Sequence, residues 1–511
     1  MGEKISISND RSKQIAAAAI FVVYSIITLI GATHHELWFD EAQAWGIARD
    51  ATLETFSDIL KHEGHPALWY LILMPFAKLG AHCEIINIIS WFFSAVAAGL
   101  FMWKAPFGLV FKTAMLFSSG FLFFNSVNSR VYCLIPLLLF LIAIVYQKRE
   151  KYAPIYGLLV GLLANTHIMM CGLVAVLGIF MLIELFRSIK KNGVKKSWGQ
   201  IAGLVIAGAL VIVMILPLVN SLSTNNMVSE KKVDFGDITI GILSVFKEIG
   251  INLMVEPNLL LFTILGAILG FVVIAVFVKL FSYKRAFVMG LGFTLMYALI
   301  IEVIWFTTPL RAPIFVYTVV AIFWIAVENE KPQEIVIPVK KSRWLISAAQ
   351  RFFSTPQKSI SITLCVILFS STPSGAFWLI KDIGSDLVIT EKTANYINEN
   401  LPENSVIITS SQSIIQFGAY SPKMRYYSLE LQRFITYTPH EIVPDKIDYE
   451  KVARDLENED NLYFLSFSKE LTFDKDDKRL VYFDSTEIPS YAFAGTAAIY
   501  KVELSDILPA D

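Results

Sequence analysis

The sequence is poor in charge for its length. Of 511 residues, only 17% are charged and 55% are hydrophobic, a far more apolar usage than that of ordinary soluble proteins. The mean hydropathy is +0.57. The apolar residues are grouped into runs long enough to cross a bilayer, such as 15–32, 200–218 and 259–278. These features exclude a soluble protein and predict one large membrane domain.

The sequence also lacks the features of several other classes. The net charge is -1 and no long basic stretch occurs, which excludes nucleic acid as a partner. The four cysteines are scattered without a CxxC pair, which predicts packing residues. No Asn-x-Ser/Thr sequon is present, which favours a bacterial chain. The first apolar run lacks an A-x-A-like site, so we predict a retained helix and not a cleaved signal.

Lysine and arginine are concentrated in loops, and cytoplasmic loops carry such an excess. The basic loops are 148–151, 187–196, 284–285 and 331–358. If these loops and the N-terminus lie inside, the apolar runs predict about eleven transmembrane helices. The predicted spans are 14–33, 85–103, 112–127, 131–147, 153–167, 168–186, 200–220, 258–280, 286–305, 312–327 and 359–380.

One further apolar run, 65–81, would break this alternation if it crossed the membrane. It is short for a span and contains Pro75 and Lys78, so we predict an interfacial or re-entrant helix within a long first loop, 34–84. The extracytoplasmic side then receives this loop, the loops 125–131, 166–167, 221–257 and 306–312, and everything after Lys381.

The character of the sequence changes near residue 381, where charges become frequent. Short β-type runs at 405–409 and 462–467 alternate with helix-like stretches at 392–400 and 449–456. We therefore predict a transmembrane domain over 1–380 and an extracytoplasmic soluble α/β domain over 381–511. The fold class is an α-helical polytopic membrane protein with a small C-terminal α/β domain, which would cover the membrane site or meet an acceptor.

The first loop contains an acidic pair, Asp40-Glu41, between the apolar stretches 37–39 and 42–45. Carboxylates beside aromatic and apolar neighbours at a membrane surface are costly, which indicates a functional role. The competing interpretation is that Asp40 caps the N-terminus of a helix that begins at Glu41.

Histidines accompany the acidic residues of this loop. His65 precedes Pro66 at the start of the interfacial helix, and His34, His35 and His62 lie in the same loop. Histidines and carboxylates together can ligate a divalent metal, but no HxxxH spacing is present, so a metal is not favoured. The alternatives for His65 are a contact to an anionic headgroup and an ordinary interfacial imidazole.

Two arginines are predicted at the outer ends of helices. Arg130 lies in NSRVYCL between two spans, and Arg311 lies in TTPLRAPIFVY. Arginine is costly at the membrane and runs against the positive-inside tendency, so each is expected to meet an anion. The competing interpretation of each is a side chain that snorkels to the interface.

Three of these segments together resemble a known family. WFDEAQAW is similar to the first-loop motif of the GT-C fold glycosyltransferases related to protein O-mannosyltransferases and bacterial aminoarabinose (lipid A) transferases. GHPALWYLIL is similar to their His/Lys-Pro-Pro-Leu-Tyr-Tyr segment, and NSRVYCL to their Arg-x-Tyr-x-Leu motif. The resemblance covers chiefly residues 14–320.

The resemblance implies an inverting transfer of a sugar from a polyprenyl-monophosphate donor to a hydroxyl of a glycolipid, cell-wall polymer or protein outside the cytoplasm. It implies that Asp40 is the base and that Glu41 tunes or positions it. His65 takes the place often held by lysine, and Arg130 and Arg311 neutralise the lipid phosphate.

The same resemblance suggests pocket-lining residues, namely Trp38, Asn128, Tyr132 and Tyr317. Two departures from the family pattern leave metal dependence and the acceptor open. Asn128-Ser129 stands where many relatives have an acidic residue, and Pro66-Ala67 replaces the Pro-Pro pair. The expected location is a bacterial plasma membrane.

The alternative function is a transporter or flippase of polyprenyl-linked sugars, which also needs many helices and a few intramembrane charges. Such a protein is expected to carry charges near the bilayer midplane. Here Glu184 and Glu302 are predicted near helix ends, and the conspicuous polar residues share one face. This favours a one-sided reaction. A scaffold or receptor would leave the acidic pair and the outer arginines without a role.

Overall fold

The computed structural model describes most of the chain. The described residues are 11–63, 65–224, 245–254, 260–303, 308–333, 355–384, 390–437, 447–467, 479–483 and 497–507. Most of the predicted loops 221–257 and 331–358, and the side chains of His62 and Glu302, lie outside them.

The chain forms two compact units, which we treat separately. The membrane unit comprises Met1–Ala32, His65–Leu68 and Ile89–Ile380. The loop–sheet unit comprises Thr33–Gly64, Trp69–Ile88 and Lys381–Asp511. Most of the predicted first loop is therefore grouped with the C-terminal residues.

Helices dominate the described residues. Their bounds are α1 Arg11–His34, α2 Phe39–Asp50, α3 Leu53–Glu63, α4 Leu68–Lys78, α5 Ile85–Lys104, α6 Leu109–Leu116, α7 Leu134–Tyr146, α8 Ala153–Ala164, α9 Cys171–Asn192, α10 Trp198–Thr224, α11 Leu260–Leu280, α12 Lys284–Val303, α13 Ala312–Asn329, α14 Pro356–Gly384, α15 Thr390–Asn400, α16 Ser411–Tyr420, α17 Tyr449–Leu456 and α18 Leu504–Ile507. A further helical segment covers 245–252.

Eight helices of the described part are long and apolar enough to cross a membrane. They are α1, α5, α9, α10, α11, α12, α13 and α14. The prediction of a polytopic helical membrane protein is therefore confirmed. Helix α4 has only 11 residues, or roughly 16 Å at the α-helical rise, about half the hydrocarbon thickness. It is too short to span, as the sequence predicted.

The predicted number of eleven spans exceeds the eight long helices found among the described residues. The predicted span 112–127 is interrupted. The Ser118 hydroxyl donates a hydrogen bond to the carbonyl of Met115 at 2.7 Å, and a π-helical turn follows at Gly120–Phe124. The predicted span 153–167 ends at Ala164, where the Asn165 amide donates to the carbonyl of Gly161 at 2.9 Å. Side chains that bond to nearby backbone compete with the helix.

Two of the basic loops are joined by one carboxylate within the membrane unit. Glu184, near the end of α9, accepts a hydrogen bond from Arg149 Nε at 3.0 Å, and Arg285 Nη1 lies 3.5 Å from it. These loops therefore lie at the same end of the helices, as the charge bias predicted.

Glycines bring helices α8 and α10 into backbone contact. A Cβ on Gly157 would lie 2.0 Å from the carbonyl oxygen of Gly203, and a Cβ on Gly203 would lie 2.2 Å from that of Ala153. Small residues at such crossings allow close packing, which is the main source of helix association in lipid.

Replacing Gly157 with alanine should lower the stability of the membrane unit by about 1–3 kcal/mol, the usual cost of overpacking. The matched control is Gly178→Ala on α9, where a Cβ would meet nothing within 4 Å. Thermal unfolding in detergent provides the measurement. Equal melting temperatures for the two variants would refute the role of the α8–α10 contact.

The C-terminal part of the loop–sheet unit contains a six-stranded sheet in the order β3-β2-β1-β4-β6-β5. The strands are β1 Val406–Thr409, β2 Arg425–Ser428, β3 Arg433–Phe434, β4 Leu462–Phe467, β5 Arg479–Phe483 and β6 Ala497–Lys501. Strand β1 pairs parallel with β2 and β4, whereas β3, β5 and β6 pair antiparallel. The strands predicted at 405–409 and 462–467 are confirmed.

Apolar residues of the strands and of helix α17 form the core on this sheet. Every residue of β1 is buried, as expected for a central strand flanked by parallel neighbours. Helix α17 is capped by Asp448, which accepts a hydrogen bond from the Lys451 amide at 3.1 Å, and it buries Val452 and Leu456 against the sheet. Their spacing of four residues places both on one helical face. The predicted helices at 392–400 and 449–456 are confirmed.

Candidate functional site

The acidic pair lies in the first turn of helix α2. Trp38 occupies the N-cap position, and the Glu41 carboxylate accepts a hydrogen bond from the Trp38 amide at 2.5 Å. This is the reciprocal half of a capping box, in which the third helical residue satisfies the backbone of the cap. The interpretation of Asp40 as the helix cap is therefore wrong. Asp40 is one residue inside the helix, and it is exposed.

Glu41 is completely buried and shares a histidine with a distant carboxylate. His35 Nε2 lies 3.0 Å from Glu41 Oε2, and His35 Nδ1 lies 2.8 Å from Asp382 Oδ2. Burial lowers the pKa of His35, but Asp382 and Glu41 outweigh it and raise this pKa well above its usual value. His35 is therefore an imidazolium that donates to both carboxylates, and this compensates for the burial of their charge.

The buried triad of His35, Glu41 and Asp382 could not be predicted from the sequence. Asp382 is 347 residues from His35 in the chain, so no local spacing links them. The weak signal was the position of Asp382 at the end of an apolar helix, where a carboxylate is costly without a partner.

Further hydrogen bonds attach the start of the first loop to helix α16 inside the same unit. The Leu37 amide donates to the hydroxyl of Tyr420 at 2.8 Å, and Arg49 Nη1 donates to the carbonyl of Gly418 at 2.7 Å. The carbonyl of His35 accepts from the amide of Asn87 at 2.7 Å. Helix α2 is thus fixed at both ends, and Asp40 is carried on a rigid element.

In the membrane unit, three basic residues occupy the caps of helices. Arg130 caps the 3-10 turn Val131–Cys133 that leads into α7, His167 caps the turn Ile168–Met170 that leads into α9, and Arg311 caps α13. Helix N-termini carry partial positive charge and present free amide donors. Two arginines and an imidazole at three such termini make this region suited to an anion.

His65 lies near these three residues, and we call His65, Arg130, His167 and Arg311 the cation cluster. The rings of His65 and His167 are 5.7 Å apart, and the ring of Tyr132 is 5.5 Å from that of His167. The guanidinium carbon of Arg130 lies 5.3 Å from the centre of the Tyr132 ring. Burial, together with the charges of His65, Arg311 and Arg130, lowers the pKa of His167 well below its usual value.

His167 is consequently neutral at pH 7, and its hydrogen-bond pattern fixes the tautomer. Its Nδ1 accepts a hydrogen bond from the Met169 amide at 3.2 Å, so the ring proton is on Nε2 and makes that atom a donor. The sequence predicts His167 on the outer side but does not indicate its role. The sequence feature that could have indicated a role is its position directly before an apolar helix. Arg130 and Arg311 have the same position.

The structure thus gathers His65, Arg130 and Arg311 around His167 in the membrane unit, and Asp40, Glu41 and Trp38 on α2 in the loop–sheet unit. The other suggested pocket residues are buried. Tyr317 packs 5.1 Å from Phe121 inside the helices. The carbonyl of Asn128 accepts a hydrogen bond from Ser90 at 3.4 Å.

Within the described ranges, no group of three histidine, cysteine, aspartate or glutamate residues has the spacing to hold a metal ion.

Two solved structures are similar to this chain over nearly its whole length. Both are crystal structures of ArnT from Cupriavidus metallidurans, one bound to undecaprenyl phosphate and one in the apo state. The first has a TM-score of 0.52 and 9% sequence identity and covers 95% of this chain and 98% of that chain. The second has a TM-score of 0.52 and 11% identity and covers 98% and 100%.

No protein-family model and no curated protein matches the sequence. At these identities the structural likeness shows the fold alone, and it confirms the GT-C type of membrane fold predicted from the sequence.

Proposed function

We propose that this membrane protein is an inverting glycosyltransferase that uses a polyprenyl-monophosphate sugar. The observation that supports it most strongly is the cation cluster of His65, Arg130, His167 and Arg311, three of which lie at helix N-termini. A phosphate is the anion that such a site suits, through guanidinium donors and the partial positive charge of helix N-termini. One of the similar solved structures is bound to undecaprenyl phosphate, which suggests the lipid class.

The chemistry needs a base and a stabilised leaving group. The oxygen of the acceptor hydroxyl attacks the anomeric carbon, the bond from that carbon to the phosphate oxygen breaks, and the lipid phosphate leaves with the electron pair. Asp40, an exposed carboxylate on a rigid helix, takes the hydroxyl proton. Arg130 and Arg311 balance the charge of the departing phosphate, and the neutral His167 donates from Nε2. Glu41 holds the first turn of α2 in place.

The location and domain roles belong to the same proposal. The acceptor is a glycolipid, a cell-wall polymer or a protein of the cell envelope, and the reaction takes place outside a bacterial plasma membrane. The transmembrane domain, 1–380, supplies the phosphate site. The extracytoplasmic domain, 381–511, supports the loop that carries Asp40, since Asp382 and Tyr420 hold that loop by hydrogen bonds.

The experiment that tests this function is turnover of a donor panel by the purified protein in nanodiscs. Each polyprenyl-phosphate sugar is supplied with an envelope extract, and release of polyprenyl phosphate is followed. We expect release from at least one donor, with slow hydrolysis when the acceptor is omitted. If every donor stays intact while the protein moves lipid-linked sugars across a vesicle membrane, the protein is a transporter and the proposal is wrong.

Arg130→Gln should weaken binding of undecaprenyl phosphate about 10- to 100-fold, because a hydrogen bond to a charged group contributes roughly 1.5–3 kcal/mol. Undecaprenyl phosphate is titrated into each variant, and the rise in melting temperature with lipid concentration measures the binding. The control is Lys148→Gln, which removes an exposed charge from a basic loop. If both variants bind the lipid as the wild type does, the cation cluster is not the phosphate site.

A further inference from the structure

A cavity of about 700 Å³ lies within the loop–sheet unit. Helix α3 of the first loop forms one wall, and strands β2 and β3 with the residues up to Tyr437 form the other. Strand β3 is the edge of the sheet. The volume falls within the range of about 300–1,000 Å³ that is usual for ligand sites. None of the residues to which we assign a step of the reaction lines this cavity.

The cavity combines an apolar floor with a fixed aromatic ring. Met424, Tyr426 and Ile435 are buried beneath it, whereas Phe434 remains 36% exposed. The Phe434 ring contacts the Tyr427 ring edge-to-face at 5.1 Å, and the Arg425 guanidinium lies 4.4 Å from its centre. An exposed aromatic ring held in one orientation offers a flat apolar surface, which suits the C–H face of a sugar ring.

The polar groups around this ring are close to charge balance. Asp58 and Glu63 come from α3, and Arg433 comes from β3. Arg425 adds no net charge, because its Nη1 lies 2.7 Å from both carboxylate oxygens of Glu459. Asp58 and Glu63 against Arg433 leave an excess of one negative charge, which is too small to select a polyanion or a polycation. A ligand rich in hydroxyls, which both donate and accept, matches carboxylates and a guanidinium that line one cavity.

One wall of the cavity is connected to the helix that carries Asp40. Glu63 accepts hydrogen bonds from the amide of Gln43 at 2.8 Å and from the hydroxyl of Tyr70 at 3.0 Å. Gln43 is three residues after Asp40 on α2, so the two side chains are on the same side of that helix.

We infer that this cavity binds a neutral saccharide, packed on Phe434 and hydrogen-bonded by Asp58, Glu63 and Arg433. That this saccharide is the glycan part of the acceptor rests on the proposed function.

The test uses the full-length protein in nanodiscs on an array of neutral and anionic oligosaccharides, with each bound glycan then titrated by calorimetry. We expect the wild type to retain at least one neutral oligosaccharide. Phe434→Ala and Asp58→Asn should each weaken that binding about tenfold. Both side chains are exposed, so folding should survive, which size-exclusion chromatography checks. The matched control is Tyr449→Ala, which removes an exposed aromatic ring from α17, outside the cavity.

Three outcomes would overturn the inference. They are no neutral oligosaccharide bound by the wild type, binding of anionic glycans only, and equal binding by the cavity variants and the wild type. Donor turnover is measured on the same wild-type preparation. If glycan binding maps to the cavity but no donor turns over, the proposed reaction fails and the saccharide site remains. If donors turn over and no glycan binds, only the cavity assignment fails.

Discussion

Asp40→Asn should lower sugar transfer by about 10²- to 10⁴-fold, the usual contribution of a positioned general base. Asparagine keeps the size of the side chain but cannot accept the hydroxyl proton. Because Asp40 is exposed and outside the buried triad, the variant should fold normally and still bind the donor. The measurement is the initial rate of transfer at matched protein concentration, with donor binding determined separately.

The control for Asp40 is Glu54→Gln, which removes another exposed carboxylate from the first turn of α3 in the same loop. It should transfer at the wild-type rate. If Asp40→Asn retains most of the activity, or if both variants lose activity equally, the base is another group.

His35→Ala should lower the free energy of unfolding of the loop–sheet unit by about 3–5 kcal/mol, the cost of removing one partner from a buried ion pair. Glu41 and Asp382 would then be buried without the imidazolium that lies 3.0 and 2.8 Å from them. Native-state proteolysis, which reports the free energy of local opening, is the measurement.

His34→Ala is a matched control, because His34 precedes His35 in the chain and is exposed. It should be nearly neutral. Adding Asp382→Asn to His35→Ala should recover part of the loss, because it removes one of the two uncompensated charges. The triad would be contradicted if His35→Ala were as stable as the wild type, or if the double variant were no more stable than His35→Ala.

The triad also predicts a direction for the pH dependence of stability. The pKa of His35 is raised in the folded protein. Its contribution is therefore complete below the unfolded value of about 6.5 and is lost as the pH rises through the raised value. The difference in stability between the wild type and His35→Ala should be largest near pH 6 and shrink towards alkaline pH.

The class of fold and much of the secondary structure could be predicted because they depend on local pattern. Apolar runs predicted the long helices, and short β-type runs predicted β1 and β4. Arg130 and Arg311 were likewise visible as single basic residues before apolar runs, whereas His167 was assigned no role. Helix ends were less predictable, since Ser118 and Asn165 end helices through side-chain hydrogen bonds that composition does not reveal.

What could not be predicted depends on residues that are distant in the chain. The contact of His35 with Asp382 and the hydrogen bond from Leu37 to Tyr420 join the first loop to residues after 381. The cavity has the same origin, because one wall comes from 55–63 and the other from 424–437. The sequence suggested an acceptor role for the C-terminal domain without residues to support it.

The long separation of His35 from Asp382 also sets an order of events during synthesis. His35 leaves the ribosome 347 residues before Asp382, which follows only after helices α1 to α13 have been made. Until then His35 can pair with Glu41 but not with Asp382. The first turn of α2 therefore lacks one of the interactions that stabilise it. Chains that stop before Asp382 should therefore keep an unfinished first loop, which a protease can distinguish from the complete protein.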